Sequence, residues 1–258
     1  MKNLFDLTGK FAVVTGASSG LGADAARALA AQGAQVALLA RRKEKLQDVV
    51  AGIRKNGGHA IAVQCDVSNN ESVKSAVKEV LEKFGRVDIL LNDAGIAIGG
   101  SVETMSEADW DKVMSVNIKG IFLMSKYIVP GMKERKYGHI VNIASVNAIV
   151  ADKSDQLVRH AYNTSKAAVV GLTKGMAASY ARYHITVNAL GPGLFESEMT
   201  AGTLFKNQPF MQMYNAACPA SRPGARGELN GPVIFFSSDA CSYVNGQFLV
   251  VDGGCSIV

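Results

Sequence analysis

Phe11-Ala-Val-Val-Thr-Gly-Ala-Ser-Ser-Gly-Leu-Gly22 decides the architecture of this chain. Its first five residues suit a strand buried on both faces, and the run then breaks into glycines and serines. Behind Gly22 follow alanine-rich residues of high helix propensity up to Ala31. A strand that turns through glycines into a helix has a specific chemical use. Glycine admits positive φ and lets backbone N–H groups approach an anion, while the helix start adds the positive end of its dipole. The turn therefore predicts a phosphate-holding site at Gly16, Ser18, Ser19, Gly20, Leu21 and Gly22.

Outward from that unit, short apolar runs alternate with stretches of helical period. Strands are expected at 11–15, 35–39, 59–65, 87–91, 139–144, 185–190 and 246–251. Helices are expected at 21–31, 43–55, 70–84, 107–129 and 162–180, with an irregular stretch to about 227 and a short helix behind it. Continuous apolar strands separated by helices require parallel pairing with right-handed crossovers. The expectation is an α/β fold of Rossmann type, a doubly wound seven-stranded parallel sheet of order 3-2-1-4-5-6-7 with helices on both faces. One domain is expected over 1–258, since no Pro- or Ser-rich linker divides the chain.

With 48% apolar and 19% charged residues the chain can bury a full core, which excludes intrinsic disorder. No apolar run is long enough for a membrane span, and no signal-peptide core precedes the first strand, so the expected location is cytoplasmic. Cys65, Cys218, Cys241 and Cys255 form no C-x-x-C pair and are expected to be structural thiols. The four histidines are scattered, which argues against a metal site. The net charge of +5 is partly gathered in Arg41, Arg42, Lys43 and Lys45, a cluster that suits one phosphate group and not a nucleic-acid track.

A dinucleotide site that prefers NAD places Asp or Glu about 20 residues beyond the first glycine, to hold the ribose 2′-hydroxyl. Here Ala40 stands at the end of the second strand, followed by Arg41 and Arg42. A guanidinium there grips a 2′-phosphate through two parallel hydrogen bonds. The expected cofactor is NADP(H), with NAD(H) the less favoured alternative.

Tyr162-Asn-Thr-Ser-Lys166 sets a phenol and an ammonium at i and i+4, on one helix face. A phenol of ordinary pKa near 10 is a poor base at neutral pH, and a cation alongside favours its ionised form. Ser145 ends the strand before this helix.

With these residues in place the chain resembles the short-chain dehydrogenase/reductase family essentially from end to end. Thr15 to Gly22 is similar to the family's T-G-x-x-x-G-x-G turn, and Asp66-Val67 to its adenine-contacting pair. Asn92-Asp93-Ala94-Gly95 resembles its N-N-A-G motif, and Pro192-Gly193 its turn below the nicotinamide. Asn117, Ser145, Tyr162 and Lys166 fall where the family has its catalytic tetrad. The resemblance implies exchange of a hydride between the nicotinamide and a carbonyl or carbinol carbon of a small-molecule substrate. Tyr162 would be the general acid/base, Ser145 would polarise the reacting oxygen, Lys166 would hold the nicotinamide ribose, and Asn117 would anchor a relay water. It further implies a homotetramer built through the helices near 107–129 and 162–180.

Asp93 stands where the family has asparagine, and Ser197 where it usually has threonine against the carboxamide. Ser145 and Tyr162 are 17 positions apart, against about 13 in the family, so the 146–161 loop is long. It carries Asp152, Lys153, Asp155, Arg159 and His160, and Arg159 or Lys153 is a candidate to hold a substrate carboxylate. His160 is expected to pack near Tyr162 and not to act in catalysis. Against that polar sign, Leu194, Phe195, Met199, Leu204, Phe205, Phe210, Met211, Met213 and Tyr214 suit an apolar lid within 191–227. Loop and lid together resemble gluconate 5-dehydrogenase-like sugar-acid and polyol enzymes. Hydroxysteroid dehydrogenase and 3-oxoacyl-carrier-protein reductase remain open alternatives.

Overall fold

The computed structural model describes residues 3–151, 157–202 and 204–258. Seven parallel strands form one sheet in the order β3-β2-β1-β4-β5-β6-β7. They are β1 Phe11–Thr15, β2 Gln35–Ala40, β3 His59–Gln64, β4 Ile89–Asn92, β5 Gly138–Ile143, β6 Ile185–Pro192 and β7 Phe248–Val251. The helices are α1 Gly20–Ala31, α2 Lys43–Lys55, α3 Asn70–Phe84, α4 Glu107–Met114, α5 Gly120–Arg135, α6 His160–Tyr180, α7 Glu198–Ala201, α8 Gln208–Ala217 and α9 Asn230–Phe236.

Each face of the sheet carries its own apolar layer. Leu29 of α1, Leu46 of α2 and Phe236 of α9 pack with Val14, Val36 and Leu91 on one side. Val73 and Val80 of α3, Met124 and Met132 of α5 and Met176 of α6 pack with Val13, Leu39 and Leu90 on the other. The strands are continuous apolar runs because they are covered on both faces. The strand order reverses between β1 and β4, where Thr15 pairs with Leu39 on one side and Asn92 on the other. Such a reversal opens a crevice beyond the carboxyl ends of the strands, the place where ligands sit in open α/β sheets.

Three expectations need correction. The single helix at 107–129 is two helices joined by a π turn, Ser115–Lys119, in which the Gly120 N–H donates to Ser115 O. Beyond it α5 runs through Pro130 to Arg135, because buried Met132 still packs on the sheet and the helix stops only at Lys136, φ +52. The stretch before 227 holds α7 and α8; Asn207 starts α8 by accepting from the Phe210 N–H at 3.0 Å, with Pro209 in the first turn. Finally, Cys218 and Cys255 are not separate thiols. Their Cα atoms stand 4.5 Å apart and the sulfurs are bonded, while buried Cys65 and Cys241 are free. Among the described residues no helix is long and apolar enough to cross a membrane, and no metal-binding cluster is present.

Candidate active site

A cleft of about 420 Å³ runs over the carboxyl ends of the central strands, from Arg42 at one end to Ser145, Tyr162 and Lys166 at the other. The glycine turn forms its floor. Gly16 has φ +71, and a Cβ there would stand 2.8 Å from the Ala94 nitrogen. At Gly22 a Cβ would meet Asp93 Oδ2 at 2.5 Å and Gly16 O at 2.8 Å. Both positions therefore need glycine, one for its conformation and both for the close approach of two chain segments. Helix α1 begins at Gly20 without a side-chain cap from Ser19. Of its first N–H groups that of Gly22 goes to Asp93, which leaves those of Gly20 and Leu21 for a ligand of the cleft.

At the basic end, Arg42 Nη2 lies 3.2 Å from Ser18 Oγ and 3.5 Å from Ser19 Oγ. Arg42 Nη2 also donates to Glu198 Oε2 at 2.5 Å, Ser19 Oγ to the same oxygen at 3.0 Å, and Lys45 Nζ to Glu198 Oε1. These donors hold the Glu198 carboxyl down at about 2, well below its ordinary range. Arg41 lines the cleft too, its carbonyl accepting from Gln64 Nε2 at 2.9 Å. Asp66 and Val67 form the neighbouring wall, with Asp66 Oδ1 accepting from Ser68 Oγ at 2.7 Å.

At the opposite end, Tyr162 and Lys166 sit one turn apart on α6. Lys166 is buried, its Nζ 5.6 Å from the Tyr162 ring centroid and 2.8 Å from the Ile143 carbonyl, to which it donates. Ser145 Oγ accepts from the Asn147 N–H at 3.1 Å. Asn117, fully buried in the π turn, uses its side chain as a clamp. Its Oδ1 accepts from the Ile96 N–H at 2.9 Å, and its Nδ2 donates to Ile96 O at 3.0 Å and to Ser165 Oγ at 2.9 Å. Ser165 Oγ in turn donates to the Tyr162 carbonyl at 2.8 Å, so the clamp reaches the helix turn that carries the phenol. A π turn is a frequent mark of a functional position inside a helix.

Asp93 lies behind the glycine turn and accepts from the Gly22 N–H. Burial raises its carboxyl to about 7, with Lys166 and that N–H pulling the other way. At the far wall Pro192 and Gly193 lead into Phe195, Ser197 and Thr200, and the Gly193 N–H donates to Val251 O at 2.9 Å.

The family model described as Enoyl-(Acyl carrier protein) reductase matches residues 16–256. The chain belongs to the short-chain dehydrogenase/reductase family. It is 38% identical over 255 residues to the gluconate 5-dehydrogenase of Gluconobacter oxydans, covering 99% of this chain and 98% of that one. It is 38% identical over 250 residues to a 3-oxoacyl-[acyl-carrier-protein] reductase of Synechocystis, covering 96% and 97%. The crystal structure of a gluconate 5-dehydrogenase from Burkholderia cenocepacia in complex with NADP and tartrate superimposes with a TM-score of 0.93, at 36% identity over 99% of this chain and 98% of that one.

In this short-chain dehydrogenase/reductase, most of the residues singled out from the sequence gather along one cleft: Gly16, Ser18, Ser19, Gly20, Leu21, Arg41, Arg42, Asp66, Val67, Ala94, Gly95, Ser145, Tyr162, Lys166, Pro192, Gly193 and Ser197. Gly22, Asn92 and Asn117 stand behind its wall. Asn92 Nδ2 donates to Asn142 Oδ1 at 2.9 Å and ties β4 to β5. In the long loop, Asp152, Lys153 and Asp155 lie outside the described residues, as does the side chain of Met199. Arg159 is paired by a β-bridge with Gly100, its guanidinium 6.0 Å from the Tyr162 ring. His160 turns outward, Nδ1 accepting from the Val102 N–H at 3.1 Å. Sequence reasoning named Lys45 within the basic cluster but missed Glu198 as a member of the site. The carboxylate directly behind Ser197 was the available sign, but its partners are 153 and more residues away.

Proposed function

We propose that this enzyme is an NADP(H)-dependent oxidoreductase that interconverts a secondary alcohol and a ketone on a sugar acid or polyol. The observation that carries the proposal is one cleft with cations at one end and a hydroxyl, a phenol and a buried ammonium at the other. A dinucleotide fits these residues. The turn where a Cβ at Gly16 or Gly22 would collide brings the N–H groups of Gly20 and Leu21 to a pyrophosphate. Ser18, Ser19, Arg42 and Lys45 supply donors for a 2′-phosphate, and Asp66 and Val67 border the adenine region. The bound nicotinamide supplies or takes up the hydride.

The chain's own residues do the rest. Tyr162 Oη gives its proton to the substrate oxygen as charge develops there in reduction, and takes it back in oxidation. Ser145 Oγ, bound only within its own turn, swings to donate to the same oxygen. Lys166 holds the nicotinamide ribose hydroxyls. Asn117 fixes the π turn, and the point where Gly95 lacks a Cβ is 3.5 Å from both Asn117 Oδ1 and Lys166 Nζ, a berth for the relay water. Arg159, beside Tyr162, is the group suited to a substrate carboxylate, and the segment 191–227 is the lid that excludes water. The gluconate 5-dehydrogenase relatives and the tartrate in the Burkholderia structure support a polyhydroxy acid. The Synechocystis relative favours a second reading, a 3-oxoacyl thioester. The enzyme is further proposed to work in the cytoplasm as a homotetramer, joined through α5 and α6.

Purified protein is to be given NADPH with 5-ketogluconate, a keto-steroid or an acetoacetyl thioester, and nucleotide oxidation followed by absorbance. Preferential turnover of the keto acid, abolished in Tyr162→Phe, is the expected result. Preference for the thioester selects the second reading, and full activity of Tyr162→Phe overturns both.

A further inference from the structure

The donors at the basic end of the cleft already grip an anion, and that anion belongs to the chain itself. Glu198 opens α7 at the start of the segment read as the lid, and its carboxylate collects Arg42, Lys45 and Ser19. The same segment lies on the glycine turn: a Cβ at Gly20, φ +55, would stand 3.3 Å from Ser197 Cβ. The lid is therefore moored at two adjacent residues, once beside the glycine turn and once on the cations that a 2′-phosphate would take.

Resting on the NADP(H) reading above, we propose that Glu198 is a specificity-determining residue that stands in for the 2′-phosphate and ties the lid until a phosphate-bearing dinucleotide displaces it. The competition is between like groups. A carboxylate brings one negative charge and two acceptor oxygens, whereas a phosphate monoester brings nearly two charges and three. The phosphate therefore wins the guanidinium and the ammonium. Once it is seated, Glu198 faces an anion of its own sign and must leave. A dinucleotide without that phosphate offers nothing to evict the carboxylate, so the mooring persists with NAD(H). Binding of the correct cofactor and release of α7 are thus one exchange of ion pairs. The cost of eviction falls on NADPH alone.

The test is a Glu198→Gln variant, with Glu196→Gln as a neighbour outside the site. Dissociation constants for NADPH and NADH are read by quenching of protein fluorescence, and hydrogen exchange of peptides covering 197–217 is read with 2′,5′-ADP or 5′-AMP. Glu198 is about half exposed, and an exposed pair contributes up to about 1 kcal/mol, so Glu198→Gln is expected to tighten NADPH about fivefold and leave NADH within twofold. Glu196→Gln is expected to keep the wild-type ratio. In the wild type 2′,5′-ADP is expected to speed exchange across 197–217 where 5′-AMP does not, and Glu198→Gln is expected to exchange fast without any ligand. An unaltered NADPH/NADH ratio in Glu198→Gln, or equal exchange with both fragments, overturns the proposal while leaving the cofactor reading intact. Failure of wild-type protein to bind NADPH overturns both.

Discussion

The ammonium of Lys166 donates to the carbonyl oxygen of Ile143 at 2.8 Å, joining the turn of α6 that carries Tyr162 to the last residue of β5. Ser145 lies two residues beyond that carbonyl, so one hydrogen bond ties together the two elements that carry Ser145 and Tyr162. A buried cation held this way is positioned before any ligand arrives, which limits reorganisation during reaction.

Lys166→Met keeps much of the volume and removes the donor. Its expected effect is a fall in kcat/KM of about 10²- to 10⁴-fold, the range for losing one positioned proton-transfer or electrostatic partner. Circular dichroism is expected to stay unchanged. Steady-state kinetics with NADPH and the best ketone checks it, and a loss below threefold would remove Lys166 from the chemistry.

Arg42 and not Arg41 reaches the serines of the glycine turn. Arg42→Ala is expected to weaken NADPH by about 10- to 100-fold, the worth of a charge-assisted hydrogen bond, with NADH little changed. Arg41→Ala, whose recorded tie to the strand is through its backbone carbonyl, is expected to have the smaller effect. Fluorescence titration of both variants decides which guanidinium reads the phosphate.

Spacing along the chain made the sheet and the placing of Tyr162 and Lys166 on one helix legible, because both depend on local periods. Strands such as Phe11–Thr15 declare themselves by being apolar on both faces, and Tyr162 and Lys166 by standing i and i+4. The choice between Arg41 and Arg42 was out of reach, since it depends on where a side chain points at the end of β2. The mooring of Glu198 joins residues more than 150 positions apart, and no periodicity records such a contact. The π turn escaped because Ser115 to Lys119 have ordinary helical composition and the extra residue is absorbed only where Asn117 clamps Ile96. Helix α8 was legible in principle from Asn207 and Pro209, but the surrounding glycines and prolines read as loop.

Asp93 makes stability depend on pH. In the unfolded chain its carboxyl ionises near 4, whereas in the fold burial holds the proton up to about 7. A proton bound more tightly in the folded state stabilises the fold at low pH, and that contribution is lost as pH rises from about 4 through about 7. Asp93→Asn carries a neutral amide at every pH and is expected to show no such loss. Urea unfolding at pH 5 and pH 8 is expected to cost the wild type on the order of 2 kcal/mol more than the variant over that interval. Parallel curves would mean that the carboxyl is ionised throughout.

Cys218 and Cys255 are 37 residues apart and join the end of α8 to the tail beyond β7. Between them lie α9 and β7, so the bond closes a loop through the edge strand of the sheet. Cross-linking a loop of that size removes unfolded-state freedom worth about 2–4 kcal/mol. Dithiothreitol is therefore expected to lower the urea midpoint of the wild type but not of Cys255→Ser, whose midpoint should match the reduced protein. The tail is also fastened by Asp252, whose carboxylate accepts from the Gly254 N–H at 2.9 Å and the Ser256 N–H at 2.8 Å, so reduction is expected to loosen it without unfolding the sheet. Identical midpoints with and without reductant would show that the two sulfurs remain thiols in solution.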